Sequence, residues 1–129
     1  MRLSLDILHI TEYVESVGPA TAYYYDMMPD DEECVVLIEE PGDPKQSTNT
    51  EVRAFQLLVR ARESPRAREL IWGVYEALRE RQSTKVELDG HVLYWIKAVQ
   101  TPCPLGYDEN RRPIFVVNYK CEVSAQPVR

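Results

Sequence analysis

Three groups of residues have the types and spacing that could do chemistry: the acid run Asp30-Asp31-Glu32-Glu33, the triplet Glu51-Val52-Arg53, and the polar stretch Gly106–Pro113, "GYDENRRP". Asp30 followed by Glu51 and Arg53 faintly matches the metal-dependent nuclease core, in which Asp and Glu hold magnesium and a Lys positions the attacking water. Here Arg53 stands where that Lys is expected, and a permanently charged guanidinium is a poor proton-transfer partner. The acid run is concentrated enough to attract a divalent cation. Calcium loops, however, space their oxygens at alternate positions around a glycine, and this run has neither feature. It reads as a solvated turn.

The other routes to catalysis are thinner still. No serine lies in a Gly-x-Ser-x-Gly context. His9 and His91 have no evident carboxylate to orient them and read as solvated or half-buried. The five glycines form no phosphate cradle. Cys34, Cys103 and Cys121 are odd in number and far apart, so they neither pair into a disulfide framework nor, with the histidines, take zinc spacing. The reading is a protein that is not an enzyme and uses no cofactor or metal. Tyr107, Asp108, Glu109, Arg111 and Arg112 then stand out for another reason: Tyr and Arg are the residue types that most often anchor protein interfaces.

These residues must be positioned by a small scaffold. At 129 residues, 44% hydrophobic and 28% charged, the protein reads as one globular domain, 1–129. No apolar run approaches the roughly 20 residues that span a bilayer, and the N-terminus is too polar for a signal-peptide core, so a cytoplasmic protein is expected. Net charge is −6, which opposes non-specific nucleic-acid binding.

Residues 2–17 carry an apolar stripe (Leu3, Ile7, Ile10, Val14, Val17) at helical spacing, closed by Gly18-Pro19 with a left-handed glycine cap. Residues 64–82 form the clearest helix, with Ser64 as N-cap and Pro65 at the first helical position. Strand patterns occupy Ala22–Asp26, Cys34–Glu40 and Glu51–Ala61. In the last of these Phe55, Leu57, Val59 and Ala61 share the core face, and the opposite face is only partly apolar. Asp89-Gly90 is a favoured hairpin turn between two further strands, and a long alternating strand follows Pro113. Proline can open such a strand but not sit within a central one. Pro41–Thr50 reads as the longest mobile loop. Together these predict an α+β domain, a mostly antiparallel sheet of four to six strands with two helices on one face. The other face must be polar or meet a partner.

Three stretches, in order, resemble one family. They are "YYYDMMPDDEECVVLIEEPGDP", "VRAFQLLVRARESPRARELIWGVYEAL" and "TPCPLGYDENRRPIFVVNYKCEV". Together they are similar to the minor capsid and tail-terminator proteins of long-tailed phages (siphovirus type) and prophages. A glycine commonly follows the loop Asn in that family; Arg111 stands there here. The resemblance implies a structural virion protein that forms a ring, typically hexameric, at the head-proximal end of the tail tube. There it stops tube polymerisation and joins the tail to the head connector.

The implied partners are further copies of itself, the tail tube protein and the head-completion or connector protein. DNA passes through without specific binding, no membrane is involved, and assembly occurs in the host cytoplasm. A head-completion or neck adaptor, and more remotely a small magnesium-dependent nuclease, are the alternatives. On this reading Pro41, Gly42, Asp43, Tyr107, Asp108, Arg111 and Arg112 are interface residues. Asp30, Asp31, Glu32 and Glu33 line the channel. The last strand is expected at or near the sheet edge, with the loops 105–113 and 41–50 docking partners.

Overall fold

The computed structural model describes residues 4–20, 22–44 and 49–127. The elements run α1 (Ile7–Val17), β1 (Tyr23–Tyr25), β2 (Cys34–Pro44), β3 (Thr50–Arg60), α2 (Ser64–Arg79), β4 (Val86–Leu88), β5 (His91–Ala98), β6 (Cys103–Tyr107) and β7 (Pro113–Ser124). The seven strands form one sheet in the order β1-β2-β3-β7-β5-β4, with β6 also paired to β7. The α+β architecture is as read from sequence, with one strand beyond the expected range. Only the β1–β2 pairing is parallel.

The helices cover one face. Val35, Leu37, Phe55, Leu57, Val59, Phe115, Val117, Tyr119, Cys121 and Val123 meet Ile10, Val14, Leu70, Ile71, Val74 and Leu78 in one core. Phe55 and Tyr119 pack at 5.3 Å between ring centroids. Burial pushes the Cys121 thiol up to about 12.

The helix starts differ from expectation in opposite directions, α1 beginning later and α2 one residue earlier. α1 starts at Ile7, where the Asp6 side chain accepts from the Leu8 N–H at 2.9 Å; Leu3 of the expected stripe lies outside the described residues. Gly18 is extended (φ −87°), so the expected left-handed cap is not formed. In α2 the N-cap is Glu63, Ser64 is the first helical residue and Pro65 the second. Gly73 is there for space, since a Cβ would stand 2.9 Å from Pro19 Cγ where α2 passes the end of α1. The Asp89-Gly90 turn forms as expected, with φ of 51° and 82°.

Two sequence expectations are overturned in part. β7 is a central strand, flanked by β3 along its whole length and by β6 and β5 in succession on its other side. Pro113 is compatible with this because it is the first residue of β7, where a missing N–H weakens the ladder least. The second concerns the expected loops. β2 runs on through Pro44, and Cys103–Tyr107 is a strand, so the connections shrink to residues 45–49 and 108–112.

The registers give the sheet two ends. At one, Tyr24, Val36, Leu58, Val116 and Cys103 form a row from β1 through β2, β3 and β7 to β6. At the other, Asp43, Val52, Glu122 and Trp95 form a row from β2 to β5. Both rows lie on the face away from the helices.

Candidate docking site

The β6–β7 turn is wound around one carboxylate. Asp108 Oδ1 accepts from the backbone N–H groups of Asn110 (2.9 Å) and Arg112 (2.8 Å), and Oδ2 accepts from Arg112 Nε at 2.8 Å. The backbone closes the same turn, with Asp108 N–H donating to Arg112 O and Arg111 N–H to Asp108 O, each at 3.0 Å. This is the local side-chain-to-backbone bonding for which Asp is favoured in turns. Partial burial pushes the Asp108 carboxyl up. The hydrogen bonds and charge of Arg112, with the Asn110 N–H, outweigh that and hold it below the ordinary carboxylate value. Arg111 adopts φ 62°, the left-handed conformation that glycine takes without steric cost.

Beneath the turn lies Arg60, the last residue of β3, only 3% exposed. Its Nη2 donates to the carbonyls of Pro29 (2.6 Å) and Asp31. Its Nη1 stands 3.6 Å from Asp108 Oδ2. Arg112 reaches the same loop, with Nη1 3.3 Å from Asp30 O and Nη2 3.7 Å from Asp30 Oδ1. The loop after β1 and the turn before β7 are thereby clamped together over a cleft of about 470 Å³, walled by Met28, Pro29 and Ile114. Asp108 and Arg112, read from sequence as interface residues, are spent largely on each other. Tyr107 (70% exposed) and Arg111 do face outward.

The acid run is also tied down. The Tyr24 hydroxyl donates to Asp31 Oδ2 at 2.7 Å. Arg66 forks onto Glu33 at 2.7 and 3.0 Å, and these bonds hold Glu33 below the ordinary carboxylate value. Asp30 is close to Arg112, and Glu32 is exposed. Sequence reasoning missed Arg60, the residue that joins the two groups. Its only signal was a charge at a position where strand alternation sets an otherwise half-apolar face.

Pro41, Gly42 and Asp43 lie at the opposite end of the sheet, exposed, in a strand and not in a loop. The register shifts between Glu40 and Asp43. A Cβ on Gly42 would lie 2.0 Å from Val52 O, so the bulge requires glycine. Lys45–Thr48 of the expected loop lie outside the described residues.

The nuclease pattern does not assemble. Asp30 sits beside Arg60, whereas Glu51 is nine residues away along β3, about 30 Å at strand rise. Arg53 binds Glu39 and the Leu5 carbonyl (2.8 Å) at that far end. His9, contrary to expectation, has carboxylates on both sides, Glu12 at 3.2 Å and Asp89 at 3.3 Å, and links α1 to the β4–β5 turn. His91 is fully buried, with Nδ1 2.8 Å from Ser124 O. Among the described residues no group of three or more His, Cys, Asp or Glu is placed to hold a metal ion, and no helix is long and apolar enough to cross a membrane.

The large apolar side chains left in solvent gather at two opposite edges. Tyr24, Tyr25 and Met27 are exposed on and after β1; Val99, Leu105 and Tyr107 are exposed before and on β6. Apolar residues exposed at both edges of one sheet are the kind of surface that meets other proteins. A family model described as bacteriophage tail terminator protein matches residues 4–124. The protein belongs to that family, a family of structural phage tail proteins that work among other virion proteins. No curated protein matches it.

Proposed function

We propose that the protein closes into a ring, hexameric in this reading, at the head-proximal end of the tail tube. There it ends tube polymerisation and joins the tail to the head connector. The observation that carries the ring is the placing of two different apolar patches at opposite edges of one row of strands. Unlike patches on opposite sides make a head-to-tail contact, and such contacts close into rings when the rotation allows. The strand directions agree. β1 runs parallel to β2 and β6 antiparallel to β7, so β6 of one copy laid on β1 of the next, in the same orientation, runs antiparallel to it. Covering an edge in this way also removes the liability of an open strand.

Six copies of net charge −6 carry −36, a field that repels DNA and lets it slide without specific binding. The run Asp30–Glu33 would contribute to such a channel through Glu32 and Asp30, because Asp31 and Glu33 are engaged by Tyr24 and Arg66.

Sedimentation velocity across a wide concentration range, with purified tail tubes added in a second series, tests the reading. The expected result is a species near six times the monomer mass, alone or on tube ends, and tubes that no longer elongate. Leu105→Glu and Tyr25→Glu should each abolish that species and leave the monomer folded. A wild-type monomer that neither assembles nor caps tubes would overturn the proposal.

A further inference from the structure

We propose that the cleft over Arg60 is a receptor for a single carboxylate presented by a partner protein. A guanidinium has five N–H donors, and a buried one is costly unless they are met. Arg60 meets two, both from Nη2, through the Pro29 and Asp31 carbonyls. Its Nε is buried without a partner. Its Nη1 has Asp108 Oδ2 at 3.6 Å, beyond hydrogen-bond length. Asp108 cannot swing in to complete the set, because its two oxygens already hold the turn through Asn110 N–H, Arg112 N–H and Arg112 Nε. Arg112 has spare capacity at the same cleft, since its Nη2 lies 3.7 Å from Asp30 Oδ1. Two under-used cations thus line one opening, with apolar walls from Met28, Pro29 and Ile114.

The charge of the lining weighs against a polyanion. Asp30, Asp108 and Glu109 line the cleft with Arg60 and Arg112, leaving one negative charge in excess. A phosphate dianion would add two more. A monoanionic carboxylate on an apolar stem adds one, accepts from the open donors Arg60 Nη1 and Arg112 Nη2, and packs its stem on the walls. An Asp or Glu side chain, or the terminal carboxylate of a polypeptide, has that form. The cleft sits where β3 ends and β7 begins, at an end of the sheet and not at the β1 or β6 side edges. In a ring closed through those edges it faces along the tail axis. Assigning it to a protein above or below the ring rests on the ring reading; the carboxylate preference does not.

The test uses the full-length protein, nitrogen-15 labelled, titrated with sodium butyrate, sodium phosphate and sodium chloride at matched ionic strength. The Arg60 Nε–H and the Asn110 and Arg112 amide resonances are followed. Butyrate should move them saturably with a dissociation constant on the order of 10–100 mM, the range a lone charge-assisted contact supports. Phosphate and chloride should not. Asp30→Asn and Glu109→Gln, both exposed, should each tighten butyrate by roughly two-fold, and sedimentation should show their assembly unchanged. Arg60→Gln should abolish the response; if it does not fold, the two rim variants decide the matter. No saturable shift, tighter binding of phosphate, or indifference to both rim variants would each overturn the proposal. A monomer in sedimentation with an intact butyrate response would sink the ring and leave the cleft standing.

Discussion

The turn at 108–112 and the strand end at 41–44 look alike in sequence, both proline-bounded and polar, yet the protein holds them in opposite ways. The first is fixed by side chains: one carboxylate accepts three hydrogen bonds, and a buried arginine ties it to a loop some 80 residues earlier in the sequence. The second is fixed by backbone pairing, Asp43 to Val52 and Pro44 to Glu51, while its side chains point to solvent. Its one charge contact among the described residues, Lys120 Nζ to Asp43 Oδ2 at 4.0 Å, is exposed and worth little. A surface segment can therefore be rigid because its charges are consumed internally, or rigid because its backbone is paired while its side chains stay exposed.

The largest break in that comparison should come from Arg60→Ala. It strands the Pro29 and Asp31 carbonyls and removes a buried cation from between two segments. Loss of one partner in such a buried set costs about 3 kcal/mol. Urea unfolding should show a clear fall in the midpoint. A change under half that size would mean that the clamp contributes little to the fold.

At the other end, Gly42→Ala should cost about 1–3 kcal/mol, because the new Cβ meets the Val52 carbonyl, a backbone atom that cannot turn away. Asp43→Ala beside it should be neutral within about 0.5 kcal/mol. The contrast between neighbours is the informative part. If both are neutral, the β2 end is loose and the bulge does not depend on glycine. If Asp43→Ala is costly, its charge is used within the molecule after all.

The sequence carried the core well and the connections poorly, for reasons visible in particular residues. Phe55, Leu57, Val59 and Ala61 alternate over a covered face, and their burial followed directly. "CPLGY" has two breakers in five residues and all five exposed, so nothing in it announces β6; it is a strand only because β7 offers it a ladder. The placing of β7 at or near an edge holds only for its first residues, where β6 alone lies outside it, and fails for the rest for a related reason. Pro113 opens the strand, and sequence order alone does not tell how many neighbours follow on either side. Arg60 was opaque because its partners are backbone carbonyls about 30 residues away, and carbonyls leave no mark in a sequence. Tyr107 and Arg111 were legible as exposed, and the histidine contacts, set by the meeting of α1 with the β4–β5 turn, were not.

The smallest effect bears on Arg111, a non-glycine residue in the left-handed conformation. Arg111 holds φ 62°, a conformation that glycine would take freely. Arg111→Gly relieves the left-handed strain but loosens the unfolded state, and the two partly cancel. A net gain of about 0.5–1 kcal/mol is expected in chemical unfolding, with Arg111→Ala giving none of it because alanine keeps the Cβ. The pair separates backbone from charge. If both variants gain equally, the benefit comes from removing a guanidinium near Arg112 and not from φ. If neither gains, the Asp108 hydrogen bonds already hold the turn so firmly that the residue at 111 is free to serve the surface. Its exposed side chain would then be retained for contact, which a loss of tube capping in Arg111→Gly at unchanged stability would detect.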